Sequence, residues 1–472
     1  MKTLNTIYIN GQHLTPHGTE VLTLLHPVSE QPVAHVRLAD EEDTRLAIAA
    51  AKAAFPQMRL SSREQRMIWL QRLHDALKAR ESELIETMVE EYGCPTGFAQ
   101  STVIRSYTGF LQASELLKNY PFETQVGTAT VVMEPLGVVG LITPWNANYG
   151  FIANKLSMVI ASGSTAVIKP SELSAQQTAL ITECLHESGL PDGVINIVTG
   201  LGNVVGAEIT RHPDVAKISF TGSTDVGKTI ARDGAATMKR VTLELGGKSA
   251  NVLLDDVDLE RAIPLALQVM SWNSGQACIA GTRLLVHENR LEEVKEQILK
   301  HLNTLVVGDP RDPQTTIGTA VTARQYQRVQ NYIRTGIEEG AELLCGGEGR
   351  PAGLTSGYFV KPTVFVNVRN DMTIARQEIF GPVLSVITYR DDAEAVQIAN
   401  DTVYGLQAYV SGNDAQRTAS IASQLIAGRV FINGVYDEPL APFGGFKQSG
   451  LGREFGVYGL EAYLEPKAIM GR

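Results

Sequence analysis

The sequence predicts an α/β protein built from two successive series of strands and helices, each forming an open, mainly parallel sheet, together with a small β arm. Three observations predict it. From about residue 136, apolar runs of strand length alternate with helical runs, the signature of βαβ units. A second alternation of the same kind begins at NVLLDD, residues 251–256. Two further strand-like segments, TATVVME (128–134) and AYLEPKAI (462–469), stand outside both series and far apart in sequence, so they are expected to pair into a protruding arm.

Taken in order, Ile7-Tyr-Ile-Asn-Gly-Gln reads as a strand and turn, and the Ala-rich run 40–54 as a helix. Over 62–92, Met67, Leu70, Leu73, Leu77, Leu84, Ile85 and Met88 recur at helical spacing, and Gly93-Cys94-Pro95 stops the run. A further helix is expected over 102–119. The first α/β series then reads strand 137–142, helix 150–163, strand 165–169, helix 174–188, strand 194–198, helix 202–211, strand 216–220, helix 225–236 and strand 239–245. Strands this continuously apolar belong to a parallel sheet covered on both faces. Right-handed crossovers gather the strand ends and helix N-termini at one edge of such a sheet, where these folds bind ligands. The second series places helices at 258–271, 289–304, 322–340, 391–400 and 414–425, and strands at 282–287, 341–345, 383–388, 406–411 and 429–433.

Composition narrows the function classes. Hydrophobic residues are 44% and charged residues 19% of the 472, which excludes wholesale disorder. Lys plus Arg is 41 and Asp plus Glu 51, so the net charge of 41 − 51 = −10 is opposite to a basic nucleic-acid footprint. No apolar run reaches membrane-helix length, Val138–Ile142 being strand-sized, and MKTLNTIYINGQ has no signal-peptide core, so a cytoplasmic protein is expected. The four cysteines, Cys94, Cys184, Cys278 and Cys345, form no CxxC pair and are too sparse for a disulfide scaffold. His13 and His17 are four apart, but Pro16 between them argues against a shared helical face, and no metal site is expected.

Residues 222–229, GSTDVGKT, match the P-loop pattern after a strand and before a helix, with Lys228 and Thr229 in the phosphate and magnesium positions. That leaves a P-loop nucleotide triphosphatase as one reading, against which Asp225 puts a negative charge inside the cradle. Gly200-Leu-Gly202-Asn-Val-Val-Gly206 misses the GxGxxG dinucleotide spacing by one residue, so Gly202 and Gly206 are expected to serve close packing of helix on sheet. No GxSxG elbow occurs. Four segments stand out together at strand ends or loops: Thr143-Pro-Trp145-Asn146, Lys169-Pro-Ser-Glu172, Leu243-Glu244-Leu-Gly-Gly-Lys248 and Ser274-Gly-Gln-Ala-Cys278. Each has an ordinary reading: a core thiol, a surface carboxylate, a turn amide, a solvated lysine. Jointly they supply a thiol nucleophile, a carboxylate base, an amide donor and a cation, the inventory of covalent catalysis.

With YINGQ (8–12), FTGSTDVG (220–227), SGQACIAGTR (274–283), QEIFGPV (377–383), GRVFING (428–434) and PFGGFKQSGLGRE (442–454), these segments resemble the aldehyde dehydrogenase superfamily from end to end. The resemblance implies a Rossmann-like NAD-binding domain (1–118 and 137–246), an α/β catalytic domain (247–440) and an oligomerisation arm (119–136 and 455–472), with a homodimer or a dimer of dimers, a tetramer, as the expected assembly. It implies Cys278 as the nucleophile that forms a thiohemiacetal and, after hydride transfer to the nicotinamide, a thioester. A free thiol titrates at about 8.5, so it needs activation. Asn146 with the Cys278 N–H resembles the oxyanion hole, and Glu244 the base that activates water and favours a free acid over a coenzyme A thioester. Lys169 completes the expected catalytic set and, with Glu172, resembles the pair on the adenosine ribose. A carboxylate there favours NAD, with NADP possible through Lys169. Trp145, Phe220, Gly222, Ser223, Leu245, Glu378 and Phe380 are the other expected cofactor contacts, the glycine-containing turn now accounting for the P-loop match.

The chain departs from the family pattern after Asn146, where Ala147-Asn148 stands in place of Phe-Pro. Asn148, Phe151, Asn154, Tyr436 and Phe443 are the expected substrate contacts. Asp437 and Glu438 add charge to that wall and no arginine is evident in these segments, so neutral hydroxylated aldehydes or aminoaldehydes are expected ahead of succinate semialdehyde. Besides the nucleotide triphosphatase, a catalytically silent relative serving as a binding or structural protein is the remaining alternative, and such relatives tend to lose the residues that Cys278, Glu244 and Asn146 represent.

Overall fold

The computed structural model of the chain describes residues 1–471; Arg472, the last residue of the expected arm, lies outside the described residues. Helices α1 (Glu41–Arg59), α2 (Arg63–Ala79), α3 (Glu81–Tyr92) and α4 (Thr96–Asn119) precede the first parallel series. α1 begins on a capping box in which Asp40 takes the N–H groups of Glu42 and Asp43. The continuous periodicity over 62–92 conceals a break: α2 ends and α3 begins at Arg80, whose guanidinium reaches Glu83 and Glu183 on either side. No Gly or Pro marks that joint, so hydrophobic spacing alone cannot reveal it. Gly93 closes α3 in the left-handed conformation that a glycine adopts without steric cost.

The first parallel series is an eight-stranded sheet. Its parallel part runs Arg240–Glu244, Val215–Thr221, Val138–Ile142, Thr165–Lys169 and Ile195–Ile197 in space. Helices α5 (Asn148–Ser162), α6 (Ala175–Glu187), α7 (Ala207–Arg211) and α8 (Thr224–Gly234) connect these strands. The N-terminal hairpin Ile7–Ile9/Gln12–Leu14 extends one side, turning at Asn10-Gly11 with both residues at positive φ, and Gly450–Leu451 closes the other antiparallel to Arg240–Glu244. The run before α7 opens as a π turn over Gly202–Gly206. A Cβ on Gly202 would meet open space, whereas one on Gly200 would strike Val205 and the Ala39 carbonyl, so the close packing expected of Gly202 falls to Gly200.

The second series, with helices α9 (Leu259–Ser271), α10 (Leu291–His301) and α11 (Ala323–Glu338), builds a seven-stranded sheet. Its order is Glu342–Cys345, Thr363–Val366, Val383–Tyr389, Arg283–His287, Ala250–Leu253, Gln407–Ser411 and Arg429–Ile432, parallel except for the first. Thr363–Val366 is a strand that sequence reading passed over, as are Lys2–Leu4, Val21–Leu25 and Pro32–Arg37, which form a separate three-stranded sheet. The two outlying segments do pair: Leu464–Met470 runs antiparallel to Ala129–Pro135, with Glu123–Val126 added on its far side after the turn at Gly127. Among the described residues no helix is long and apolar enough to cross a membrane.

Candidate active site

Strand register brings the motifs together. Ile142 pairs with Lys169 and with Phe220, and Thr221 pairs with Glu244, so four strands end level. TPWN, KPSE, the Gly222-Ser223 turn and LGGK therefore leave the sheet from one edge. Cys278 arrives from the other sheet, on the loop between α9 and Arg283–His287. Gly247 lets the two meet, because a Cβ there would collide with the Cys278 carbonyl oxygen.

The loop before the thiol is strained and held. Asn273, Ser274 and Gly275 take φ of 53°, 58° and 75°, a conformation that costs the first two energy their surroundings must supply. Ser274 Oγ accepts from Gly318 N at 2.9 Å; Gln276 Nε2 donates to Thr319 O at 3.0 Å and its Oε1 accepts from Val321 N at 3.1 Å. Asn146, 7% exposed, donates through Nδ2 to Gln276 O at 2.9 Å. An amide nitrogen has two hydrogens, so one remains for a ligand oxygen.

Cys278 is half-buried; burial first, then the carboxyls of Glu378 and Glu244, push its thiol up, while the N–H groups of Cys278 and Ile279 act the other way. Glu244 is 2% exposed, its Oε1 lies above Gly444, and neither carboxyl oxygen has a partner. Burial, then nearby Glu454, hold it well above the carboxylate range against the pull of Lys155, Arg453 and Arg429. Glu454 is in turn paired with Lys155, whose Nζ donates to Ser219 Oγ at 3.0 Å; all three are buried. Sequence reading missed this pair. The available signal was Lys155 itself, a lone cation inside the apolar run IANKLSMVI.

A second group lies along the same edge. Lys169 donates to Glu172 Oε2 at 3.0 Å and to Pro170 O at 3.1 Å, which leaves one ammonium hydrogen for a ligand. Ser223 caps α8, a Cβ on Gly222 would strike the Phe220 ring, and Leu245 fills the space left by Gly227. Glu378 Oε1 accepts from Gly247 N at 3.0 Å, and burial lifts its carboxyl to about 7. Trp145 meets Phe380 edge to face with ring centroids 5.5 Å apart, Phe380 itself holding φ of 63°.

The expected substrate wall divides. Phe151 and Asn154 occupy the partly open face of α5 with Ala147. Asn154 lines a cavity with Gln112, Leu116, Met158, Leu440 and Phe455. Phe443 packs edge to face on Phe455. Asn148 does not join them: it is fully buried and donates to Thr178 Oγ1 at 3.4 Å, on the α6 side. Tyr436 is 64% exposed and folds back over Gly434. The wall also contains arginines: Arg105 of α4 lies 3.5 Å from Asp437, and Arg429 lies over the Phe443 and Phe455 rings. The expected acidic field is thus accompanied by cations.

The P-loop reading fails on local structure. α8 begins at Thr224, so the residues that would form a phosphate-wrapping loop are already helical. Lys228 and Thr229 lie exposed within that helix, and the Thr229 hydroxyl donates to the Asp225 carbonyl.

Residues 14–469 match the family model described as the aldehyde dehydrogenase family. The chain is 44% identical to a 3-succinoylsemialdehyde-pyridine dehydrogenase of a Pseudomonas species, over 100% of this chain and 99% of that one, and 41% identical to a putative aldehyde dehydrogenase of Staphylococcus haemolyticus, again over 100% and 99%. Its structure superposes with a TM-score of 0.97 on aldehyde dehydrogenase C of Pseudomonas syringae, solved as a cysteine-to-alanine mutant with NAD+ and octanal, at 43% identity over 99% of this chain and 96% of that one. It superposes with a TM-score of 0.95 on a betaine aldehyde dehydrogenase of Staphylococcus aureus in complex with NAD+, at 31% identity over 98% and 94%. Sequence and structure alike make this chain a member of the aldehyde dehydrogenase family.

Proposed function

We propose that the chain oxidises an aldehyde to the free carboxylic acid, with NAD as electron acceptor and covalent chemistry on Cys278. The observation that carries the reading is the convergence of three groups from two sheets: the Cys278 thiol, the buried and unpartnered Glu244 carboxyl, and the Asn146 amide fixed on the Gln276 carbonyl. The thiol gives up its proton to solvent as its sulfur adds to the aldehyde carbon, and the free Asn146 N–H with the Cys278 N–H holds the oxygen as it gains charge. Glu244 removes the proton from the water that later attacks the thioester carbon. Lys155, held by Ser219 and Glu454, favours the charged form of Glu244, and Glu454 opposes it.

The donor set along the edge fits a dinucleotide. Lys169 and Glu172 present an ammonium and a carboxylate suited to a ribose diol, with the carboxylate disfavouring a 2′-phosphate. The α8 N-terminus at Ser223 suits the pyrophosphate, and Glu378 with Phe380 the second ribose. A Cβ on Gly246 would sit 2.7 Å from Glu378 Oε2, so only glycine leaves that carboxylate its place. Bound there, NAD would supply an acceptor for hydride beside Cys278. Residues 1–118 with 137–246 thus form the cofactor-binding part and 247–440 the catalytic part.

The substrate reading shifts with the structure. Asn148 is withdrawn and Asp437 is paired, while Leu116, Met158, Leu440 and Phe455 line the cavity beside Asn154. These favour an uncharged aldehyde with an apolar body, in keeping with the octanal bound to the Pseudomonas syringae neighbour. In a panel of octanal, glycolaldehyde and succinate semialdehyde with NAD and NADP, octanal with NAD should give the highest kcat/KM, with succinate semialdehyde about tenfold lower, or about 1.4 kcal/mol. A preference for succinate semialdehyde overturns the substrate class, a preference for NADP overturns the role of Glu172, and no NADH from any aldehyde favours the silent relative.

A second copy of the chain is the partner we infer. Arg429–Ile432 is the terminal strand of the seven-stranded sheet, and Thr124, Gln125 and Val126 lie exposed at the outer edge of the arm. Strands at the edge of a sheet are templates for pairing. Light scattering should give a multiple of the chain mass for the whole protein, and a chain ending at Tyr463 should be monomeric; a monomeric whole protein refutes the assembly.

A further inference from the structure

Tyr92 lies outside every catalytic motif, at the last turn of α3, and is almost fully buried. Its hydroxyl donates to Asn273 Oδ1 at 2.8 Å and accepts from Gln276 Nε2 at 3.3 Å. Asn273 then has one orientation available. With Oδ1 taken by the Tyr92 hydroxyl, its amide nitrogen faces the opposite way and donates to Asn146 O at 2.8 Å and to Gln276 O at 3.1 Å. Gln276 O is the same carbonyl that accepts from the Asn146 side chain. One buried hydroxyl therefore determines which way the Asn273 amide points, and that amide ties the backbone of Asn146 to the loop two residues before Cys278.

The anchor behind this hydroxyl is rigid. Gly93 O, immediately after Tyr92, accepts from Thr319 N at 3.0 Å, and Gly318 packs so closely on Gly93 that a Cβ would strike its carbonyl. The same stretch of chain holds Ser274 and Gln276. The end of α3, residues 318–321 and the thiol loop form one hydrogen-bonded block in which Asn273 and Ser274 keep their left-handed backbone. Removing the Tyr92 hydroxyl would leave Asn273 Oδ1 without its donor in a buried site, a state that favours rotation of the amide. Rotation would replace two donors by a carbonyl oxygen facing two carbonyls.

We propose that Tyr92 is a positioning residue for the reaction, acting through Asn273 to hold the Asn146 amide and the Cys278 loop in their working relation. This rests on the assignment of Cys278 as nucleophile and Asn146 as oxyanion donor. Tyr92→Phe keeps the ring and its edge-to-face packing on Trp145 and removes only the hydroxyl. Misplacement of catalytic groups by a fraction of an ångström supports an expected loss of about tenfold in kcat. KM for NAD should stay within about twofold, since no group expected to hold the cofactor is moved.

A purely structural role would lower thermal stability and leave the folded enzyme's kcat alone. Two measurements separate the cases. The rate of Cys278 alkylation by iodoacetamide, read by mass spectrometry without cofactor, should change by at least about threefold in Tyr92→Phe. In a double-mutant cycle with Asn273→Ala, Tyr92→Phe should cost less than about twofold in kcat once Asn273 is gone. Unchanged kcat and unchanged alkylation in Tyr92→Phe overturn the proposal, as does the same tenfold loss in the Asn273→Ala background. If Asn273→Ala does not fold, kcat and alkylation of Tyr92→Phe alone decide the matter. Full activity of Cys278→Ala would instead overturn the nucleophile assignment on which the proposal rests.

Discussion

Cys278→Ala is expected to abolish aldehyde oxidation, by at least about a thousandfold in kcat, while leaving NAD binding intact. The other three thiols are the internal control. Cys94 and Cys184 are buried, burial raises both, Cys184 to about 12, and Cys345 is a half-buried member of an edge strand. None of them faces a carboxyl base and a side-chain amide donor together. Cys94→Ala, Cys184→Ala and Cys345→Ala should each keep kcat within about twofold if the fold survives, as conservative changes distant from a reacting centre do. The thiol of Cys278 is itself raised by burial and by its acidic neighbours, so the rate of thiol attack should rise with pH. NAD titration followed by tryptophan fluorescence checks the binding half of the expectation. An active Cys278→Ala enzyme, or equal damage from another cysteine, would end the assignment.

Much of the fold is legible in the sequence, for a physical reason. A parallel strand buried on both faces has to be apolar throughout, so GVVGLI, TAVIK and AKISF announce themselves, and their ends then fix where polar residues can gather. Register turns that expectation into geometry by setting Lys169, Ile142 and Phe220 level, with Glu244 beside Thr221. Edge and antiparallel strands such as Val21–Leu25 and Pro32–Arg37 are half solvated and carry no such run. The joint at Arg80 is invisible because two helices packing on one core share one periodicity. Lys155, Glu454, Asn273 and Tyr92, which sequence reading missed, are brought beside these motifs by contacts between segments distant in sequence, the Lys155–Glu454 pair spanning 299 positions. Asn148 shows the converse error: adjacency to Asn146 suggested the substrate wall, but the first turn of α5 rotates it into the core, where Thr178 accepts its amide.

Glu244→Gln should separate the two halves of the proposed reaction. Glu244 is enclosed, with both oxygens unpartnered and its carboxyl raised by burial and by Glu454. Glutamine preserves the shape above Gly444 and removes the base. Addition of the thiol and loss of the aldehyde hydrogen should still occur, because Cys278 and Asn146 are untouched. Attack of water on the thioester should slow by about a hundredfold or more, the usual loss when general-base catalysis is removed. The expected record is a burst of NADH equal to the number of active sites, then a steady rate lower by that factor, with the acyl group on Cys278 detected by mass spectrometry. The wild-type enzyme adds a sign test. A carboxyl held above its ordinary range is protonated at low pH and becomes a base only as pH rises through its raised pKa, so wild-type deacylation should increase with pH over that interval. The Glu244→Gln enzyme should lack this increase. Unchanged turnover with ordinary acid product, or a pH dependence of deacylation retained in Glu244→Gln, would move the base elsewhere, and Glu454 would be the next carboxyl to test, since it is the carboxyl whose charge acts on Glu244.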